Sequence, residues 1–117
     1  MNKKDLIKRT KQFAHNCVKL ALDLPKTKLG SHIEGQLIRC STSVAANYRA
    51  ANIAHSRAAF IAKLSIVIEE VDESEYWLEF IIDEELINKE MVVNLQNEAK
   101  ELTAIFISSR KSARLNN

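Results

Sequence analysis

Four basic side chains, Arg49, His55, Arg57 and Lys63, stand within one stretch that contains no carboxylate. A cluster of one sign repels itself unless something anionic lies against it. That counter-charge is either a carboxylate from elsewhere in the protein or the phosphate backbone of a nucleic acid. A second basic stretch, Lys3, Lys4, Lys8, Arg9 and Lys11, opens the chain. The net charge is only +2, yet it is strongly segregated. Residues 1–63 hold twelve Lys/Arg and three Asp/Glu, residues 64–88 hold nine acids and no Lys or Arg, and residues 89–117 hold five bases and three acids. An acidic helix lying against basic neighbours explains that pattern, and so does a basic face for nucleic acid.

Other chemistries find little to build on. The three histidines are His15, His32 and His55, and the residues three before them are Gln12, Leu29 and Asn52. The Glu-x-x-His pairs of a di-iron bundle are therefore absent, and no zinc-ligand spacing replaces them. There is no Gly-rich phosphate loop and no nucleophile elbow. The carboxylates from Glu69 to Glu85 point nearly all round a helix, as a solvated or salt-bridged surface does. Glu75 differs in falling within the core-facing sector, which calls for a basic partner or an interface. No cofactor, metal or small-molecule substrate is implied, and the expected protein is not an enzyme. Cys17 and Cys40 lie inside helical patterns and read as small core residues of a protein in a reducing compartment. The charged start MNKKDLIKRTK has no apolar run behind it, and no stretch approaches a membrane span, so the expectation is a cytoplasmic protein with no membrane partner.

The elements that must position these residues are helices. A chain of 117 residues fits one domain, and two Gly and one Pro are too few for the turns of a β-rich fold. Leu6, Thr10, Phe13, Cys17, Leu20 and Leu24 recur at helical spacing, and Pro25 ends that helix. Ser31 with Glu34 has the pattern of a capping box opening a second helix, whose stripe is Ile33, Leu37, Cys40, Val44, Tyr48 and Ala51. Ser56 is the expected N-cap of a third helix. Its core face is Phe60, Leu64, Val67, Ile68, Val71, Leu78 and Ile82. At about 100° per residue, Ile66, Trp77, Phe80 and Ile81 fall on a second apolar face, which suggests a subunit contact. A fourth helix carries Val92, Leu95, Ala99, Leu102 and Phe106, and RKSARLNN is expected to fray. The expectation is all-α: one domain over 1–117, an antiparallel up-down-up-down four-helix bundle with helices at about 3–24, 31–55, 56–85 and 90–109. If the second and third helices form a hairpin turning near residue 56, Arg39 faces Glu73 and Arg49 faces Lys63.

Two family resemblances bear on function. Arg49 and His55 have an Arg-x5-His spacing that resembles the motif of small helical RNases of the HEPN type, in which Arg and His act at a phosphodiester. Residues six apart diverge by about 120° on a continuous helix, so the two converge only if the helix breaks near Ala54. Arg9 and His15 repeat the spacing, and Ala50 stands where that family usually has a polar residue.

The second resemblance covers nearly the whole chain. Its anchors are Gln36-Leu-Ile-Arg39, Ser43-Val44-x-x-Asn47-Tyr48-Arg49-Ala50-Ala51, Ser56-Arg57-x-x-Phe60-x-x-Lys63-Leu64 and Glu73-x-x-x-Trp77-Leu78. This set resembles the bacterial four-helix-bundle family encoded in intervening sequences of 23S rRNA genes. The resemblance implies a ring-shaped homopentamer. It also implies kinship with the accessory variability determinant of diversity-generating retroelements, a basic pentamer that works with a reverse transcriptase and its template RNA. Ala59 departs from the acid the family often carries there, which leaves the helix 2–3 joint less fully capped.

The expected protein is thus a homo-oligomer, pentameric by resemblance, that binds RNA or another nucleic acid. The candidate residues are Asn47, Arg49, Arg57 and Lys63, with Lys4, Lys8, Arg9 and Lys11 as a second set. Ile66, Trp77 and Phe80 are the candidate subunit contacts. A purely structural interaction module is the first alternative and an Arg/His ribonuclease the second.

Overall fold

The structure, a computed structural model, describes residues 1–116. Four helices follow one another: α1 Lys3–Leu22, α2 Lys28–Ala51, α3 Arg57–Asp83 and α4 Glu90–Leu115. Each packs antiparallel on the next, and α4 returns beside α1 along the least closely apposed seam. The molecule is a rod of 49 × 21 × 20 Å.

The helix starts follow from side-chain oxygens placed before free backbone donors. Asn2 and Asp5 form a reciprocal capping box on α1. Ser56 caps α3 by accepting from the Ala59 amide at 3.1 Å. The start of α2 differs from the expected Ser31–Glu34 box. The cap is Thr27, whose hydroxyl accepts from the Gly30 amide at 3.0 Å. The Ser31 amide is already bonded within the helix to the Thr27 carbonyl, and Glu34 pairs instead with Lys26. At the other end α2 stops at Ala51 rather than near 55, and a short turn carries the chain to Ser56. The close of α3 is a paired-bond cap. The Glu85 amide donates to the Ile82 carbonyl and the Leu86 amide to the Ile81 carbonyl, with Glu85 at φ 52°. The expected fraying does not occur over residues 110–115: α4 runs on to Leu115, because that segment is rich in helix formers and contains neither Gly nor Pro, while Asn117 lies outside the described residues.

One continuous core joins all four helices. The expected stripes of α1 and α2 are buried throughout, as are Val92, Ala99, Leu102 and Phe106 of α4, while Leu95 is half-buried. Tyr48 packs on Phe106 across the core with ring centroids 5.0 Å apart. On α3 the buried seam is Leu64, Val67, Val71, Ser74, Leu78 and Ile81. Two expectations are corrected there. Ile81 faces the core, while Phe60, Ile68 and Ile82 lie at its edge. Ser74, not Glu75, occupies the central position. The 3-4 spacing of the seam is shorter than the period of a straight helix, so positions drift from the straight-helix reading. Ser74 fits because its hydroxyl donates to the Glu70 carbonyl at 2.8 Å and lies 3.2 Å from Cys40 Sγ. Half-buried Glu75 makes no ion pair among the described residues.

Candidate functional site

The alternating helix directions bring the basic residues to one end of the rod. Lys3, Lys4, Lys8, Arg9 and Lys11 come from the start of α1, Arg49 from the end of α2, and Arg57 and Lys63 from the start of α3. Arg110, Lys111 and Arg114 come from the end of α4. Those are eleven of the chain's 17 Lys/Arg, and the acids beside them are Asp5 and the two that Arg9 binds, Glu98 and Glu101. Lys100 lies between Glu98 and Glu101, and the rest of the rod holds the other five bases and twelve acids. The charge blocks seen along the sequence become two poles. The contribution of α4 was missed by sequence reasoning, which treated its last residues as a tail. The Arg110 guanidinium donates to the Ser65 hydroxyl of α3 at 3.2 Å, which ties that segment to the bundle.

Not every predicted residue is available there. Arg9 is removed from the nucleic-acid candidates: its guanidinium grips Glu98 of α4 through both Nε and Nη2 at 2.6 Å and reaches Glu101 at 3.1 Å. These hydrogen bonds, Glu98 foremost, raise the Arg9 pKa still further above its already high value. Arg39 does the same work between α2 and α3, holding Glu73 in a close ion pair and Glu70 at 3.1 Å. The expected Arg39–Glu73 register is correct, and Arg39 lowers the Glu73 pKa, helped by a bond from Trp77 Nε1. Lys4, Lys8, Lys11, Arg49 and Lys63 make no ion pair among the described residues. Arg57 is exposed and makes an interaction of its own. Asn47 turns back on its own helix, donating to the Ser43 carbonyl at 3.0 Å and to its hydroxyl at 2.9 Å.

Arg49 keeps its place at the hairpin end and has a further neighbourhood there that the sequence did not show. It borders a groove of about 530 Å³ between α1 and α2. The floor is Ile7, Ala14, Val18, Ala45 and Ala46, and the polar rim is Lys11, His15, Thr42 and Arg49. His55 is not part of it; His15 is. The signal in the sequence was the run of small residues on α2, whose missing side chains form the hollow.

The outward side of α3 carries the other candidates. Trp77 and Phe80 are half-buried and lean on the core edge, in contact with each other at 5.9 Å and with Tyr76. His32 meets Trp77 edge-on at 5.6 Å. Ile66 and Tyr76 are exposed at 37% and 53%, so the apolar face that remains open is these two with the rims of Trp77 and Phe80. Among the described residues no three His, Cys, Asp or Glu side chains gather to hold a metal ion. Among the described residues no helix is long and apolar enough to cross a membrane.

The sequence model of the 23S rRNA-intervening sequence protein family matches residues 2–108. The chain belongs to that family. A crystal structure from Bacteroides thetaiotaomicron, of a protein with unknown function from the S23 ribosomal protein family, superposes with a TM-score of 0.87. It is 35% identical and the match covers 95% of this chain and 99% of that one. No curated protein matches. The intervening-sequence family thus accounts for the four-helix architecture and for the motif run from Gln36 to Leu78, and its function is unknown. Ala59 illustrates a departure that the fold tolerates: its amide still receives the Ser56 cap, and only the reciprocal acid of the box is missing.

Proposed function

We propose that this intervening-sequence family protein is a non-enzymatic homo-oligomer, a pentameric ring by family resemblance, that holds the phosphate backbone of RNA at its basic pole. The observation that carries this reading is the gathering of eleven Lys/Arg from all four helices at one end with three acids, two of them held by Arg9. Five of the candidates, Lys4, Lys8, Lys11, Arg49 and Lys63, are not neutralised within the chain among the described residues. A pole without base-reading grooves suits structured or single-stranded RNA recognised by charge and shape.

The test is a binding titration against structured RNA over a range of salt. The logarithm of affinity should fall linearly with the logarithm of salt, by a slope of about 0.7 to 0.9 per phosphate contacted. Reversing Arg110, Lys111 and Arg114 together to Glu should flatten that slope. Affinity that ignores salt, or no binding at low salt, overturns the reading.

A second reading, a purely structural interaction module, is favoured by one observation: Arg49, though at the pole, borders an apolar groove. In that reading the triple reversal at α4 leaves the protein's partners unchanged. The ribonuclease alternative gains nothing from the groove, where Arg49 is accompanied by His15 and not by His55.

A further inference from the structure

Two surfaces on this chain are unlike each other and complementary. The α1/α2 groove has an apolar floor and a rim that carries Lys11, His15 and Arg49, with no carboxylate among its lining residues. The outward ridge of α3 presents Ile66, Tyr76 and Phe80, with Glu69, Asp72 and Glu79 between and beside them. Ridge positions follow helical spacing, so apolar and acidic side chains share one strip. Acids surround the exposed apolar ridge and bases surround the exposed apolar groove. Each surface leaves its charges uncompensated within the chain: Arg49 and Lys11 make no ion pair among the described residues, nor do Glu69, Asp72 and Glu79.

We propose that the α1/α2 groove is the docking site for the α3 ridge of a second copy of this chain. The proposal rests on the homo-oligomeric reading above and names its contact surfaces. Tyr76 enters the hollow over Ala45 and Ala46, Ile66 lies about 15 Å further along the ridge, and the ridge acids meet Arg49 and Lys11 at the rim. Complementary charge at the border of an apolar contact fixes register and rejects mismatched partners. Because groove and ridge lie on different helices, the contact is heterologous: each copy offers one of each, and repetition runs head to tail. Arg49 is thereby withdrawn from the RNA surface and assigned to the subunit contact. The pole keeps Lys4, Lys8 and Lys63 and the α4 cations.

The heterologous geometry gives a test that an isologous contact would fail. Ala46→Trp fills the groove and leaves the ridge intact; Tyr76→Lys spoils the ridge and leaves the groove intact. Each variant alone should sediment as a monomer with wild-type helical circular dichroism. An equimolar mixture should form a one-to-one heterodimer and nothing larger, since only one groove–ridge pair remains competent. If either variant loses its helical signal, the exposed charge reversals Arg49→Glu and Glu69→Arg take their places: each alone should be a monomer, and their mixture should assemble beyond a dimer, because the unmodified groove–ridge pair and the charge-swapped pair are both complementary. A variant that keeps the wild-type assembly, or two monomeric variants that fail to combine, overturns the groove–ridge pairing while the oligomeric reading stands. Wild-type protein that is monomeric throughout overturns both. RNA binding by the monomeric variants is measured in parallel and reports on the basic pole alone.

Discussion

Gly30 lies so close to Pro25 that a Cβ built on it would stand 1.9 Å from the Pro25 carbonyl oxygen. The first turn of α2 therefore folds back directly onto the loop that ends α1, with backbone against backbone. Gly35, five residues on, has nothing within 4 Å of the same position. The pair makes an internal control. Gly30→Ala must displace main chain and should destabilise the protein by about 2 kcal/mol, within the usual range for overpacking. Gly35→Ala should stabilise by about 0.5 to 1 kcal/mol through helix propensity. Urea denaturation of the two variants checks both signs.

Glu85 adopts a left-handed backbone at φ 52°, which a side chain disfavours and glycine does not. Its amide completes the cap on α3 whatever the side chain is. Glu85→Gly should raise stability by about 1 kcal/mol with no change in helix content, measured by thermal melting.

The Glu73 carboxyl, held below its ordinary range by Arg39, makes the α2–α3 seam sensitive to acid. A carboxylate with a depressed folded-state value stabilises the fold fully above its unfolded value of about 4.3, and that contribution is lost as pH falls through the folded value. Arg39→Ala should move the Glu73 titration upward, toward the unfolded value. It should also flatten the acid limb of the stability curve. Carbon-detected NMR titration of the carboxyl groups follows the first effect, and denaturation between pH 2 and 5 the second.

Burial raises the pKa of both thiols, and that of Cys40 is pushed up to about 11, with the Ser74 hydroxyl bond opposing. Neither is a thiolate near neutral pH, and the thiolate is the reactive form. A thiol-specific reagent should label neither Cys17 nor Cys40 in native protein at pH 8 and both in guanidinium. Labelling on mixing with native protein would show that the core opens far more readily than its packing suggests.

The sequence made the stripes of α1 and α2 readable because those stripes are almost wholly apolar, and it made Ser56 readable because an oxygen-bearing cap stands alone there. Thr27 was hidden by Ser31, which offers the same chemistry four residues later with an acid at the right spacing. In the fold the Ser31 amide is already bonded to the Thr27 carbonyl, so the cap lies one turn earlier. Ser74 was hidden because a buried hydroxyl looks polar until its partners, the Glu70 carbonyl and Cys40, are seen. The basic pole was half legible. Arg49, Arg57 and Lys63 were marked by the lack of nearby acids in the chain, whereas the pairing of Arg9 with Glu98 joins residues 89 apart and has no local signature. The groove is a space, and a sequence shows a space only as a run of alanines.

That same Arg9–Glu98 grip bears on how the chain folds. The α1–α2, α2–α3 and α3–α4 contacts each join helices adjacent in sequence, so they close short loops and form early and fast. The α1–α4 seam alone requires the two ends of the chain to find each other. Its interactions are therefore expected to form last, after the rate-limiting barrier. Arg9→Ala should then leave the refolding rate nearly unchanged and act almost entirely by speeding unfolding, with a φ-value close to zero in stopped-flow measurements. By contrast, trimming Val67 or Leu37 in the central hairpin should slow refolding. The residue that the sequence offered as a ligand for phosphate would then serve as the latch whose release governs how long a folded molecule lasts.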